Sequence, residues 1–301
     1  MEKYFSTDFY NPNAIYAEGE KVRKEVEAYR IQIARIFGVA PEGVVFTSGG
    51  TEANTWAVQG VGPGRIIVEE GSHPSVTEAV KGRTLSIDSK GPTLVSSVTT
   101  DNKLGREIRE ERKKNGSVYP LLHIDASQGA QYYNCALDTL ACDLLSIDSA
   151  KLYGPKGIGA LIVKRGVKLN LPPQGTPAVP LIAGFTKALE VAVRDREAEH
   201  ARLTLLSGEF VRVVEASLPE AEIAQSLPNI INISVPRILP ELLVLALDRA
   251  GVLVSAGPAC DFHKPEPPET PVRISLGRFT TEEEVKRASE IFCHTVRNLL
   301  K

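Results

Sequence analysis

The sequence predicts an α/β fold, a mainly parallel sheet flanked by helices, followed by a smaller C-terminal α+β domain. Short runs rich in β-branched and aromatic residues alternate with helical stretches through the first half of the chain. From about Val179 that texture gives way to one long helical pattern and then to mixed strands and helices. At 301 residues the chain has room for one large and one small domain. The expected limits are 12–195 for the large domain and 196–301 for the small one, with residues 1–11 associated with the small one.

Each element has a local reason. In AIYAEGEKVRKEVEAYRIQIARIFG, from Ala14 to Gly38, the apolar residues Val22, Val26, Tyr29, Ile33 and Ile36 recur every three or four positions, as on one face of a helix. Asn13 stands where an N-cap belongs and Gly38 where a helix stops. The strand candidates that follow are VVFTS, RIIVEE, TLSID, TLVSSVTT, YPLLHIDAS, DLLSID and GALIVK. Between several of them lie helical or turn stretches such as TEANTWAVQG and SVTEAVKG. The run from Pro180 to Leu218 reads as a connecting helix. After it come NIINISV, LPELLVLALDRAG, VLVSAG, VRISLG and a terminal helix in TEEEVKRASEIFCHTVRNLLK.

Composition narrows the function classes. Hydrophobic residues make up 43% and charged residues 24%, an ordinary globular balance. A formal net charge of -2 gives no electrostatic case for binding nucleic acid. No apolar run approaches the ~18–20 residues of a membrane span, and MEKYFSTDFYNPN lacks the apolar core of a signal peptide. The expectation is a cytoplasmic protein with no membrane association. Its cysteines, Cys135, Cys142, Cys260 and Cys293, show no pairing pattern and are expected as free thiols. No metal site is expected.

Three stretches carry a common chemistry. FTSGGTEAN (46–54) runs from a strand through Ser-Gly-Gly-Thr into a helix. It is either an ordinary turn or a phosphate cradle, in which Gly50 lets the backbone approach a ligand and Thr51 adds a hydroxyl. HIDASQ (123–128) places Asp125 at a strand end, as a crevice acid or as the cap of the next turn. DSAKLYGPKG (148–157) places Lys151 at another strand end. Cradle, acid and lysine together are what a pyridoxal phosphate site requires. The lysine forms a Schiff base, the acid keeps the pyridine nitrogen protonated, and a helix N-terminus anchors the phosphate. Two later stretches add to this. Cys260 in VSAGPACD is a reactive thiol on a loop or a buried, inert one. Arg273 in VRISLGRFT is placed to grip a carboxylate or to form an ion pair.

In this order FTSGGTEAN, the histidine of EEGSHPSV, HIDASQ, KLYGPKGIGAL, SAGPAC and VRISLGRFT resemble the cysteine desulfurases of the NifS/IscS type. These belong to the class V aminotransferase group of fold-type I pyridoxal phosphate enzymes, and this chain is similar to a shortened member. The likeness starts near Phe9 and reaches the C-terminal helix. It implies Lys151 as the Schiff-base lysine, Asp125 as the pyridinium partner, and Gly50 and Thr51 as the phosphate cradle. It implies His73 as the residue stacked on the ring and a candidate proton relay. Asn102 and Gln128 would bond the cofactor's phenolic oxygen or the substrate. Arg273 would bind the substrate carboxylate, Cys260 would accept the sulfur, and Thr176 would reach the phosphate of a neighbouring subunit.

The implied reaction is removal of sulfur from L-cysteine, giving L-alanine and a persulfide on Cys260. The implied partners are a sulfur-acceptor or iron–sulfur scaffold protein, for cluster assembly or tRNA thiolation, and a second copy in a homodimer. The alternatives are a selenocysteine lyase, another class V lyase or aminotransferase, or a cofactor-poor scaffold in a sulfur-transfer complex.

Departures from the family pattern are specific. The glycine- and arginine-rich segment before Gly175-Thr176 is reduced to LPPQ, and Cys260 lies only 13 positions before Arg273. The family's S-x-H-K is here Asp148-Ser149-Ala150-Lys151. An aspartate beside a phosphate is repulsive, so either Asp148 turns away or the phosphate site is weakened, with Ser149 as a candidate substitute hydroxyl.

Overall fold

The computed structural model describes residues 1–69, 71–81, 93–257 and 271–301. The expected strand TLSID and the sulfur-acceptor candidate Cys260 lie outside the described residues. The chain divides into two compact units, Met1–Asp195 and Arg196–Lys301.

The first unit carries α1 (Lys3–Ser6), α2 (Ala17–Phe37), β1 (Val44–Thr47), α3 (Gly50–Gly60), β2 (Arg65–Val68) and α4 (Pro74–Lys81). It continues through β3 (Thr93–Ser97), α5 (Lys103–Asn115), β4 (Leu121–Asp125), α6 (Leu137–Leu140), β5 (Leu144–Asp148) and β6 (Gly159–Val163). Its sheet has the order β1-β6-β5-β4-β3-β2. Strands β2 to β5 pair in parallel, and β6 runs antiparallel to both of its neighbours. The mainly parallel sheet of the sequence reading is thus present, with one reversed strand inserted between β1 and β5.

Both faces of this sheet are covered, so its strands are apolar on both sides rather than alternating with polar residues. Leu122, Leu145 and Ile162 pack into one core with Val26, Ile33 and Phe37 of α2. Their neighbours Leu121, Leu144 and Leu161 pack into the other, with Ala53, Ala57 and Val58 of α3. Successive side chains of a strand point to opposite faces, so each pair of leucines or isoleucines feeds two cores at once.

Two expectations are corrected here. Residues 1–11 fall in the first unit rather than with the C-terminal one. The Tyr4 hydroxyl donates to Glu25 at 2.5 Å and meets Tyr29 at 2.8 Å, while Lys3 pairs with Glu25 at 2.8 Å and Lys21 with Asp8 at 2.9 Å. The second correction is at the start of α2. Its N-cap is Tyr16, because Asn11 holds residues 11–14 in a turn, its side chain accepting from Asn13 N–H and its carbonyl from Ala14 N–H. At the other end Gly38 closes the helix in the left-handed conformation (φ 69°), where a side chain is disfavoured.

Helix α7 (Val179–Ser217) spans 39 residues without a break, and the unit boundary falls inside it. The second unit then contains β7 (Glu222–Leu227), β8 (Ile230–Ser234), α8 (Pro240–Arg249), β9 (Ser255–Ala256), β10 (Val272–Ser275) and α9 (Glu282–Leu299). Its sheet, β7-β8-β10-β9, is antiparallel throughout. The Thr281 hydroxyl accepts from Glu284 N–H while the Glu284 carboxylate accepts from Thr281 N–H, a capping box that starts α9. Arg202 donates to the carbonyls of Gly277, Arg278 and Thr280 and so fastens the turn between β10 and α9. Among the described residues no helix is long and apolar enough to cross a membrane.

Candidate active site

The carboxyl ends of β4 and β5 collect the chemistry of the first unit. Asp125 is the last residue of β4 and is half-buried. Its Oδ1 accepts from Ser127 N–H at 3.0 Å and its Oδ2 accepts from Asn54 Nδ2 at 2.7 Å. Asn54, 1% exposed, also donates to Ser75 Oγ at 2.9 Å. Ser75 Oγ in turn lies 2.7 Å from His73 Nδ1, and Ser75 N–H donates to the same nitrogen at 3.1 Å. Asp125 and His73, separate candidates in the sequence, are therefore joined through Asn54 and Ser75. Those two were missed. The signal for Asn54 was present in FTSGGTEAN, where it stands one helical turn after Gly50 and hence on the buried face of α3.

Lys151 sits in the short 3-10 turn Ser149–Leu152 that follows β5, with its side chain exposed. The turn is capped by Asp148, whose Oδ1 accepts from Ala150 N–H at 2.8 Å. The other oxygen of the same carboxylate, Oδ2, accepts from Gly50 N–H at 3.1 Å. Strand register explains this reach. Thr47 of β1 and Asp148 of β5 both pair with Gly159 of β6, so the two strands end in one row of the sheet. A Cβ on Gly159 would lie 2.9 Å from Gly49 Cα, so its absence lets the start of α3 fold over toward Asp148.

Asp148 thus faces the cradle and does not turn away. Ser149 is fully buried, and its Oγ, without a hydrogen-bond partner among the described residues, lies 2.3 Å from the position a Cβ on Gly154 would take, on the side where α7 packs. The Ser127 hydroxyl lies at the start of α3, 2.7 Å from where a Cβ on Gly50 would stand. Ser127 Oγ is buried and has no hydrogen-bond partner among the described residues.

Gln128, exposed, follows Asp125 by three positions and opens the next 3-10 turn. Asn102 is half-buried at the N-cap of α5, where its carbonyl accepts from Arg106 N–H at 3.0 Å. Thr51 is exposed in the first turn of α3. Thr176 is exposed on the loop that Gln174 ties to the Phe46 carbonyl at 2.9 Å. Arg273, on β10 of the second unit, has a buried Nε with no hydrogen-bond partner among the described residues.

Burial sorts the other reactive groups. His123, two residues before Asp125 on β4, is fully buried between Ser96 Oγ (2.9 Å) and Ser146 Oγ (2.8 Å). Desolvation pushes its imidazole down to about 4, against a smaller upward pull from Asp125. It is a neutral core residue. Cys135, Cys142 and Cys293 are all buried, and burial pushes the Cys142 thiol up to about 12 and the Cys293 thiol upward as well.

Comparison with known proteins defines the class. The sequence profile of aminotransferase class-V matches residues 1–87, 89–174 and 173–288, so the chain belongs to the class-V aminotransferase family, whose members depend on pyridoxal phosphate. Within it, the chain is similar to the cysteine desulfurase IscS of Dictyoglomus turgidum, at 30% identity over 99% of this chain and 90% of the relative. The cysteine desulfurase IscS of Clostridium botulinum (strain Hall) is 29% identical over 97% of this chain and 88% of its own length. A solved NifS-like protein superposes with a TM-score of 0.83 at 24% identity, over 99% of this chain and 93% of the other. That likeness establishes the fold-type I architecture.

The residues present fit the ring end of that cofactor. Asp125 is an oriented carboxylate at a strand end, Lys151 is an exposed amine one short turn past the neighbouring strand, and His73 is tied to Asp125 by hydrogen bonds. The phosphate end offers the start of α3 and the unpartnered Ser127 hydroxyl, but Asp148 already holds the Gly50 N–H.

Proposed function

We propose that this chain is a cysteine desulfurase, removing sulfur from L-cysteine to give L-alanine and a persulfide on Cys260. The observation that carries the reading is the Asp125–Asn54–Ser75–His73 network beside the Lys151 turn, in a chain whose curated relatives bear that name. When bound, pyridoxal phosphate supplies an aldehyde that condenses with amines and a protonated ring that accepts the electrons of a substrate carbanion. Lys151 would hold the aldehyde, and its free amine would take the Cα proton of the substrate. Asp125 keeps the ring nitrogen protonated, its carboxylate aimed by Asn54 and by Ser127 N–H. His73 would cover the ring, and Asn102 and Gln128 would bond the cofactor's phenolic oxygen or the substrate.

Arg273 binds the substrate carboxylate, a role supported by its buried Nε, which has no hydrogen-bond partner among the described residues. The Cys260 thiolate attacks the substrate sulfur, the Cβ–S bond breaks with its electron pair going to carbon, and protonation there completes alanine. One thiol and L-cysteine become one persulfide and alanine, with atoms and electrons balanced. The assignment to Cys260 is supported by the burial of the other three thiols. The proposal extends to a cytoplasmic homodimer in which Thr176 reaches the partner's phosphate, and to a sulfur-acceptor protein that unloads Cys260. A visible-absorbance scan tests the reading: the protein loaded with pyridoxal phosphate should change its spectrum on addition of L-cysteine and form alanine. A spectrum indifferent to L-cysteine would favour the cofactor-poor scaffold.

A further inference from the structure

The start of α3 is an anion seat that already contains an anion of the protein's own. Asp148 Oδ2 accepts the Gly50 N–H at 3.1 Å, the kind of backbone donor that a phosphate would use. A second carboxylate is close by, since Glu52 Oε2 accepts the Ser48 N–H at 2.6 Å. Asp148 is held from both sides, because its Oδ1 is committed to the Ala150 N–H at 2.8 Å and its backbone pairs with Gly159 in the sheet. An independent observation marks the place as a ligand seat. Ser127, 9% exposed, presents a buried Oγ with no partner among the described residues, within 2.7 Å of the position a Cβ on Gly50 would fill. A glycine that admits no side chain, an unsatisfied hydroxyl and a helix N-terminus point to an anion, and one oxygen of Asp148 is in place to compete with it.

We propose that Asp148 is a built-in competitor for the cofactor phosphate, so that in this chain the phosphate adds little to the affinity for the aldehyde. The inference rests on the reading of the first unit as a pyridoxal phosphate site. Its consequence is a changed ligand preference. The chain takes unphosphorylated pyridoxal nearly as well as pyridoxal phosphate, because ring, aldehyde and lysine do most of the holding. A like charge within hydrogen-bond range of the same donor is costly even near a protein surface, and removing it returns that cost to the phosphorylated ligand alone.

The test is a four-way comparison in the full chain. Wild type and Asp148→Asn are each titrated with pyridoxal and with pyridoxal phosphate, following absorbance, and borohydride-trapped adducts are located by mass spectrometry. Asparagine keeps the cap on Ala150 N–H while removing the charge. The expected result is that the preference for pyridoxal phosphate over pyridoxal rises at least about tenfold in Asp148→Asn, with the affinity for pyridoxal unchanged. Equal preferences in the two proteins would overturn the proposal while leaving the cofactor site intact. Absence of an adduct from either aldehyde in both proteins would overturn the cofactor site and the proposal with it. If Asp148→Asn does not fold, Asp148→Ser, which also caps the turn, carries the same comparison.

Discussion

Asn54 Nδ2 lies 2.7 Å from Asp125 Oδ2, joining a helix and a strand 71 residues apart in sequence. The same nitrogen reaches Ser75 Oγ at 2.9 Å, and through it His73. In the proposed function Asn54 acts through Asp125 rather than on the substrate, as a positioning residue. A hydrogen bond to a charged group is worth about 1.5–3 kcal/mol, so Asn54→Ala should lower turnover by roughly tenfold or more while Lys151 still forms its adduct. The same change made in an Asp125→Asn background should have little further effect. Full additivity of the two changes would show that Asn54 works elsewhere.

Lys151 and Lys156 are both exposed, but only Lys151 stands in the turn directly after β5. Lys151→Ala should abolish the borohydride-trapped cofactor adduct, and Lys156→Ala should leave it unchanged. An adduct that persists without Lys151 would reassign the amine.

This much was legible in the sequence. Lysine and acid at strand ends, glycine at the α2 terminus and the terminal helix α9 are local signals, each readable within a few residues. Contacts between distant segments were not. The insertion of β6 between β1 and β5, which brings Asp148 to Gly50, depends on register across the sheet. The burial of Ser149 against Gly154 and the placement of Ser127 Oγ against Gly50 depend on which way the turns after β5 and β4 face. The attachment of residues 1–11 to α2 depends on Glu25 and Tyr29 receiving Tyr4, a pairing that no periodicity announces.

The stability of the first unit should depend on one buried ion pair. Arg112 Nη1 donates to Asp143 Oδ1 at 3.1 Å, and Asp143 Oδ2 also accepts from Leu122 N–H at 2.9 Å. Arg112 and Asp143 side chains are only 14% and 4% exposed. Removing one partner leaves the other charged and desolvated, so Asp143→Ala should cost about 3–5 kcal/mol in urea unfolding. A loss under about 1 kcal/mol would place the pair with surface ion pairs.

His123 sets an acid limit. Its folded-state value of about 4 lies below the usual 6.5, so the unfolded chain binds the proton first. Its contribution is neutral above pH 6.5 and destabilises progressively as pH falls from 6.5 to about 4, by roughly 3 kcal/mol in all. Unfolding free energies of wild type and His123→Gln measured across that window should differ in slope, the variant losing less stability on acidification. Parallel curves would contradict the assignment.

In the proposed function the sulfur of L-cysteine comes to rest on Cys260. Of four cysteines, Cys135, Cys142 and Cys293 are buried, and Cys142 is held protonated well above neutral pH. The direct measurement is mass spectrometry of the native, cofactor-loaded chain after L-cysteine, with alkylation to trap persulfides. The peptide containing Cys260 should gain the mass of one sulfur, and both this gain and alanine release should be absent in Cys260→Ser. A persulfide on another cysteine, or alanine release that survives Cys260→Ser, would contradict the proposed function.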